Sequence, residues 1–222
     1  MRARALLAST VVLAALGSTA VDAAPVKKKK PAPPSCNLVK DTTGDVSNKF
    51  QGVDVFQPDQ GLDLVGADVV TDTKNLTAVI RLAAAPGSAT VYAKRYIMQM
   101  NVTGLANPLV VAAAITPTGT TYSFGYYGTT TTGTGFNYSA TPAVGKIQDK
   151  VITVSAKLSD IAAMEQLGVV KKGAKISGFS LTANRRVPAF TQVTGSVYVA
   201  DDALGKTSYL AGGTSCIKPF AG

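Results

Sequence analysis

The chain has 222 residues, no histidine, no tryptophan and a formal net charge of +9. Without histidine, Ser-His-Asp and Cys-His catalysis are excluded, and zinc loses its commonest nitrogen ligand. Six of the 22 basic residues and one of the 13 acids fall before residue 31, so the remainder carries a net +4, too little and too scattered to predict a nucleic-acid partner.

Residues 1–23 read as a signal peptide. Arg2 and Arg4 supply the charged start, Leu6 to Leu16 the apolar run, and Val21-Asp22-Ala23 the small residues for cleavage. The run is shorter than the roughly 20 residues of a membrane span, and no later stretch is long enough. The expected setting is therefore secreted, extracellular or cell-wall associated, with no membrane span. Residues 24–35 hold Lys27 to Lys30 between prolines. Proline removes donors and adjacent lysines repel, so this is an extended, solvated tail. It serves either as a spacer or as a contact for anionic polymers.

Cys36 and Cys216 bracket nearly all of the chain beyond this tail. Two cysteines in one secreted chain are expected to pair. Closing a loop of that length stabilises by about 5 kcal/mol in the chain-entropy description. Residues 36–222 thus read as one disulfide-closed domain.

Acidic residues crowd its front: Asp41, Asp45, Asp54, Asp59, Asp63, Asp68 and Asp72. In Asp41-Thr-Thr-Gly-Asp45 the glycine lets the chain turn back, so two carboxylates converge. Asp63 opens the next strand. Calcium takes six to eight oxygens from short carboxylates and carbonyls, and Asp41, Asp45 and Asp63 would supply such a set. The other reading of the same residues is turn chemistry, since Asp bonds its own backbone two residues on.

Beyond this point period-two alternation dominates. Leu76, Ala78, Ile80 and Leu82 face one way, and Thr77, Val79 and Arg81 face water. Tyr96, Met98, Met100 and Val102 share a core face, as do Ile152, Val154, Ala156 and Leu158. Further strands are predicted at 62–71, 109–115, 120–127, 134–140, 174–183 and 193–200. Asp201 and Asp202 are placed in a loop ending the last of these. One short helix is predicted, capped by Ser159 or Asp160, with Ile161, Met164 and Leu167 inward and Gly168 at its end. The fold class is all-β, a two-sheet antiparallel β-sandwich (jelly roll) with one short helix.

The Asp-x-x-Gly-Asp turn, Gly61-Leu-Asp-Leu-Val-Gly-Ala-Asp-Val and the strand Leu76-Thr-Ala-Val-Ile-Arg-Leu resemble the opening of DOMON-like and family 9 carbohydrate-binding-module-like secreted bacterial jelly-roll domains. Residues 151–182 and the close from Asp201 to Cys216 fit the same pattern. The resemblance implies a non-catalytic sandwich with a structural calcium at Asp41, Asp45 and Asp63, with Asp68 and the pair Asp201, Asp202 as weaker candidates. Carbohydrate-binding members stack sugars on tryptophan or tyrosine, and this chain has no tryptophan. Haem-binding members use Met or His pairs, and histidine is absent.

Tyr122, Phe124 and Tyr126 fall on one strand face, Tyr127 on the other, and Phe136 and Tyr138 alternate beyond a threonine-rich loop. They form either an aromatic core face or a sugar-stacking platform, whose candidates are Tyr126, Tyr127 and Tyr138. No spacing supports a catalytic carboxylate pair among Asp149, Asp160 and Glu165. The leading expectation is a non-catalytic binding or accessory module for a polysaccharide or cell-wall polymer. The alternatives are an extracellular structural protein with a protein partner, or a carboxylate-dependent hydrolase.

Overall fold

The computed structural model describes residues 34, 36–50, 53–54, 57–89, 92–127, 141–165, 167–186 and 197–220. The chain divides into Met1–Pro31 and Ala32–Gly222. The first unit, with the expected signal peptide and most of the lysine tail, lies outside the described residues, as do the predicted strand 134–140 and Tyr138.

The elements run in chain order as β1 (Val39–Lys40), β2 (Lys49–Phe50), β3 (Val53–Asp54), a 3-10 turn (Gln60–Leu62), β4 (Leu64–Thr71), β5 (Asn75–Leu82) and β6 (Lys94–Val102). They continue with β7 (Leu109–Thr116), β8 (Gly119–Tyr126), β9 (Thr141–Pro142), β10 (Val144–Gln148), β11 (Val151–Lys157), α1 (Leu158–Ala162), β12 (Lys175–Arg186), β13 (Val197–Leu204) and β14 (Tyr209–Leu210). A five-stranded sheet has the order β1-β4-β5-β11-β10, and a seven-stranded sheet the order β13-β12-β6-β7-β8-β9 with β14 also on β12. All pairings are antiparallel. This is the β-sandwich that the alternation predicts.

The core lies between the two sheets. Ala67, Val69, Leu76, Ala78, Ile80, Ile152 and Val154 come from one, and Met98, Met100, Leu109, Val111, Phe124 and Leu181 from the other. Each such large apolar side chain gains about 1.5–3 kcal/mol from burial. Met98 and Met100 are fully buried, so the core reading of that pair holds. Tyr96 is buried too, and its hydroxyl donates to the Gly61 carbonyl at 2.5 Å, which satisfies its polar tip.

The outer face of the five-stranded sheet departs from the alternation. Thr77 and Val79, predicted to face water, are buried, and so are Thr153 and Ser155. Thr77 and Ser155 share a hydroxyl hydrogen bond of 3.0 Å. The residues after Cys216 lie against this face: Ser155 Oγ donates to the Phe220 carbonyl at 3.5 Å, and the Lys146 ammonium sits 5.0 Å from the Phe220 ring. A terminal segment of no internal periodicity leaves no trace in the strand pattern it covers.

The helix is shorter than predicted. Only five residues are helical, Lys157 is the N-cap without a side-chain bond, and Asp160 sits in the first turn. Ser159 and Asp160 bond each other, 3.0 Å apart, so neither caps the helix. The inward stripe survives: Ile161 and Leu167 are buried and Met164 packs against the core. Cys36 and Cys216 form the expected disulfide, with Cα atoms 5.8 Å apart and 180 residues between them.

Candidate metal centre

The segment from Cys36 to Ser47 is an arm laid across one end of the sandwich. Its first half is fastened by ordinary means. Leu38 donates its amide to Asp68 Oδ1 at 3.0 Å, and Leu38 O accepts from Thr207 Oγ1 at 2.9 Å. Val39 and Lys40 pair with Ala67 and Gly66. Gly66 is required there, because a Cβ would stand 2.5 Å from the Val39 carbonyl oxygen. Asp68, fully buried, is neutralised by Arg81, which also donates to Asn37 Oδ1 at 3.1 Å.

The second half of the arm carries the acidic turn. Asp41 donates its amide to the Val65 carbonyl at 3.0 Å, and its Oδ1 accepts from Thr42 at 2.9 Å. Gly44, at φ +88°, takes a left-handed conformation open to glycine at little cost, and its amide donates to Asp63 Oδ2 at 2.6 Å. Ser47 then donates to the Ala200 carbonyl at 2.7 Å, on the outer edge of β13.

Two strand irregularities aim carboxylates at this turn. In β4 the register with β5 shifts between Leu64 and Gly66, leaving Val65 as the extra residue shortly after Asp63. In β13 the register with β12 passes from Asp201 to Val199, leaving Ala200 as the extra residue. A bulge breaks alternation and re-aims a side chain. Ala200 and Asp201 are accordingly both buried in succession.

Carboxylate oxygens of Asp41, Asp45 and Asp201 all lie within 4.8 Å of one another. Oxygens sharing one calcium, each about 2.4 Å from it, lie at most about 5 Å apart. Asp63 adjoins the group through Gly44. Of the expected trio, Asp41 and Asp45 come together, while the third member of the tight group is Asp201 rather than Asp63. Asp201 lies within β13 and not in a loop, which corrects the expectation drawn from the Asp-Asp pair.

The electrostatics are those of an uncompensated acidic site. Burial pushes Asp201 up to about 7, and the charges of Asp41 and Asp45 add to this against the opposing bond from the Leu64 amide, which Asp201 Oδ2 accepts at 2.6 Å. Burial also raises Asp41, with Asp45, Asp202 and Asp63 contributing by repulsion. Asp41 Oδ2 and Asp63 Oδ1 are buried and accept no hydrogen bond. Asp63 itself is 0% exposed. A buried carboxylate oxygen without a donor is costly, and a cation or an ordered water removes the cost. Short carboxylates and two open acceptors suit a hard oxygen-seeking cation.

Of the expected tyrosine platform, Tyr126 and Tyr127 are half-buried and Tyr138 lies outside the described residues. Tyr126 packs against the hydrophobic core. Tyr127 lies beyond the end of β8, with its amide on the Pro108 carbonyl at 3.2 Å. Asp149 occupies a left-handed turn position, φ 54°, between β10 and β11. Among the described residues, no helix is long and apolar enough to cross a membrane. In comparisons with protein-family models, curated proteins and solved structures, nothing matches the chain.

Proposed function

We propose that this protein is a secreted, non-catalytic β-sandwich module that binds calcium as a structural ion and attaches to an extracellular polymer. The calcium reading rests above all on Asp63 Oδ1, a fully buried carboxylate oxygen with no donor, beside three clustered aspartates. Asp41, Asp45, Asp63 and Asp201 are the protein ligands. Their combined negative charge suits a divalent cation, and the sequence resemblance to DOMON-like and family 9 carbohydrate-binding-module-like domains points the same way. The Cys36–Cys216 disulfide supports an oxidising, extracellular setting.

The polymer reading rests on that resemblance. Of the three candidate tyrosines, Tyr127 is the described one whose ring lies outside the core. Calorimetric titration of the protein with calcium tests the first part. Micromolar to millimolar binding that disappears in Asp41→Asn and Asp201→Asn is the expected result, and no heat of binding refutes it. Co-sedimentation with cell walls and insoluble polysaccharides, at enough salt to mute the lysine tail, tests the second. Retention on one polymer, weakened by Tyr127→Ala, is expected, and failure to sediment with any polymer refutes the carbohydrate reading.

A further inference from the structure

The acidic cluster joins parts of the chain that are far apart in sequence. Asp41 and Asp45 belong to the arm, Asp63 to the start of β4, and Asp201 to β13. β13 is the last strand of the seven-stranded sheet. An edge strand presents unpaired backbone groups that proteins cover or blunt. Here the backbone bond from Ser47 to the Ala200 carbonyl lies on that edge, one residue from Asp201. The two halves of the arm are held differently. Residues 37–40 are secured by β1 pairing, by the Asp68–Arg81 pair and by the nearby disulfide. Residues 41–47 rest on the separate hydrogen bonds of the Asp41, Gly44 and Ser47 amides and on one partly buried core contact, Val46, and their carboxylates meet like charges on the sandwich.

We propose that the cation is the fastener between residues 41–47 and the β13 edge, so that its occupancy decides whether that edge is covered. This rests on the calcium reading above. With the ion bound, carboxylates from the arm and from β13 share one positive centre, and the turn is drawn down onto Ala200. Without it, Asp41 and Asp45 face Asp201 and the buried Asp63, whose Oδ1 has no partner, and repulsion lifts the turn from its hinge at Lys40. The device is local, because the first half of the arm stays anchored.

The test is residue-resolved amide hydrogen exchange on the full chain, with calcium and with chelator, alongside calorimetry for binding itself. The expected result is calcium binding together with exchange at least about tenfold faster at Gly44 and Ser47 in chelator, while Leu38 changes less than about threefold. Calcium binding with unchanged exchange at Gly44 and Ser47 overturns the fastener and leaves the calcium site standing. Equal acceleration at Leu38 overturns it as well, since the arm would then move as a whole. No calcium binding removes the site and the fastener together. Asp45→Asn, at an exposed position where folding is not at risk, should reproduce the chelated pattern in calcium buffer. Wild-type protection in that variant, with its calcium binding lost, also overturns the proposal.

Discussion

Replacing Asp201 by asparagine should move the protein's stability in opposite directions with and without calcium. Asp201 is only 6% exposed, and its carboxyl is pushed from 3.8 to about 7 by burial and by Asp41 and Asp45. An acid whose folded value lies above its unfolded value binds its proton more tightly when folded. The part of the cation-free protein's stability that Asp201 controls is therefore greatest below pH 4 and falls as pH rises towards 7. Moving one carboxyl across that interval corresponds to a ceiling of about 4 kcal/mol. Asparagine keeps an oxygen for the Leu64 amide and removes the charge. The cation-free variant should then be about 2–4 kcal/mol more stable at pH 7.5, roughly 5–15 °C in Tm. It should also lose most of the decline between pH 4.5 and 7.5. With calcium the order reverses, because the wild type gains binding energy that the variant lacks. Calorimetric melts at pH 4.5 and 7.5, each with calcium and with chelator, read all of these values. A cation-free variant less stable than wild type at pH 7.5, or a flat wild-type profile, would refute the reasoning.

The scaffold carries three further expected outcomes. Cys36→Ser with Cys216→Ser should cost about 3–5 kcal/mol in denaturant melts, since the bond closes a loop of 180 residues; an unchanged midpoint contradicts this. Arg81→Met should cost about 3 kcal/mol in denaturant melts by leaving the fully buried Asp68 carboxylate without its cation, and an unchanged midpoint contradicts this. Gly145→Ala should cost about 1–3 kcal/mol, because the added Cβ would lie 2.3 Å from the Tyr122 ring that crosses from the other sheet; a neutral effect on Tm would show that the ring yields freely.

The parts legible in the sequence are those where one residue in two meets the core. β5 runs from Asn75 to Leu82 and β6 from Lys94 to Val102, within a residue or two of the alternation that announces them. Two cysteines at the ends of a domain expected to be exported were enough to pair them. Half of the metal centre was legible as well, because Asp41 and Asp45 are local to one glycine turn. Asp201 was not. Its place depends on a bulge at Ala200, and a bulge disturbs the very periodicity by which a strand is read. An Asp-Asp pair after an apolar run looks like a strand's end, whereas β13 continues to Leu204. The short strands β1, β2, β3, β9 and β14 have two residues each, below any periodic signal. Their pairing is settled by tertiary contacts such as the approach of Val39 to Gly66.

The disulfide also determines how the domain would respond to a pull. Cys36 and Cys216 have Cα atoms 5.8 Å apart, so the cross-linked part of the chain begins and ends at nearly one point. Tension applied between the polypeptide on either side passes through the sulfur–sulfur link and bypasses both sheets. Neither sheet can be peeled open while that link holds, and the tether lengthens by almost nothing. Mechanically the module is a pendant on its strand rather than a spring within it, and whatever its loops hold stays held while the line is taut.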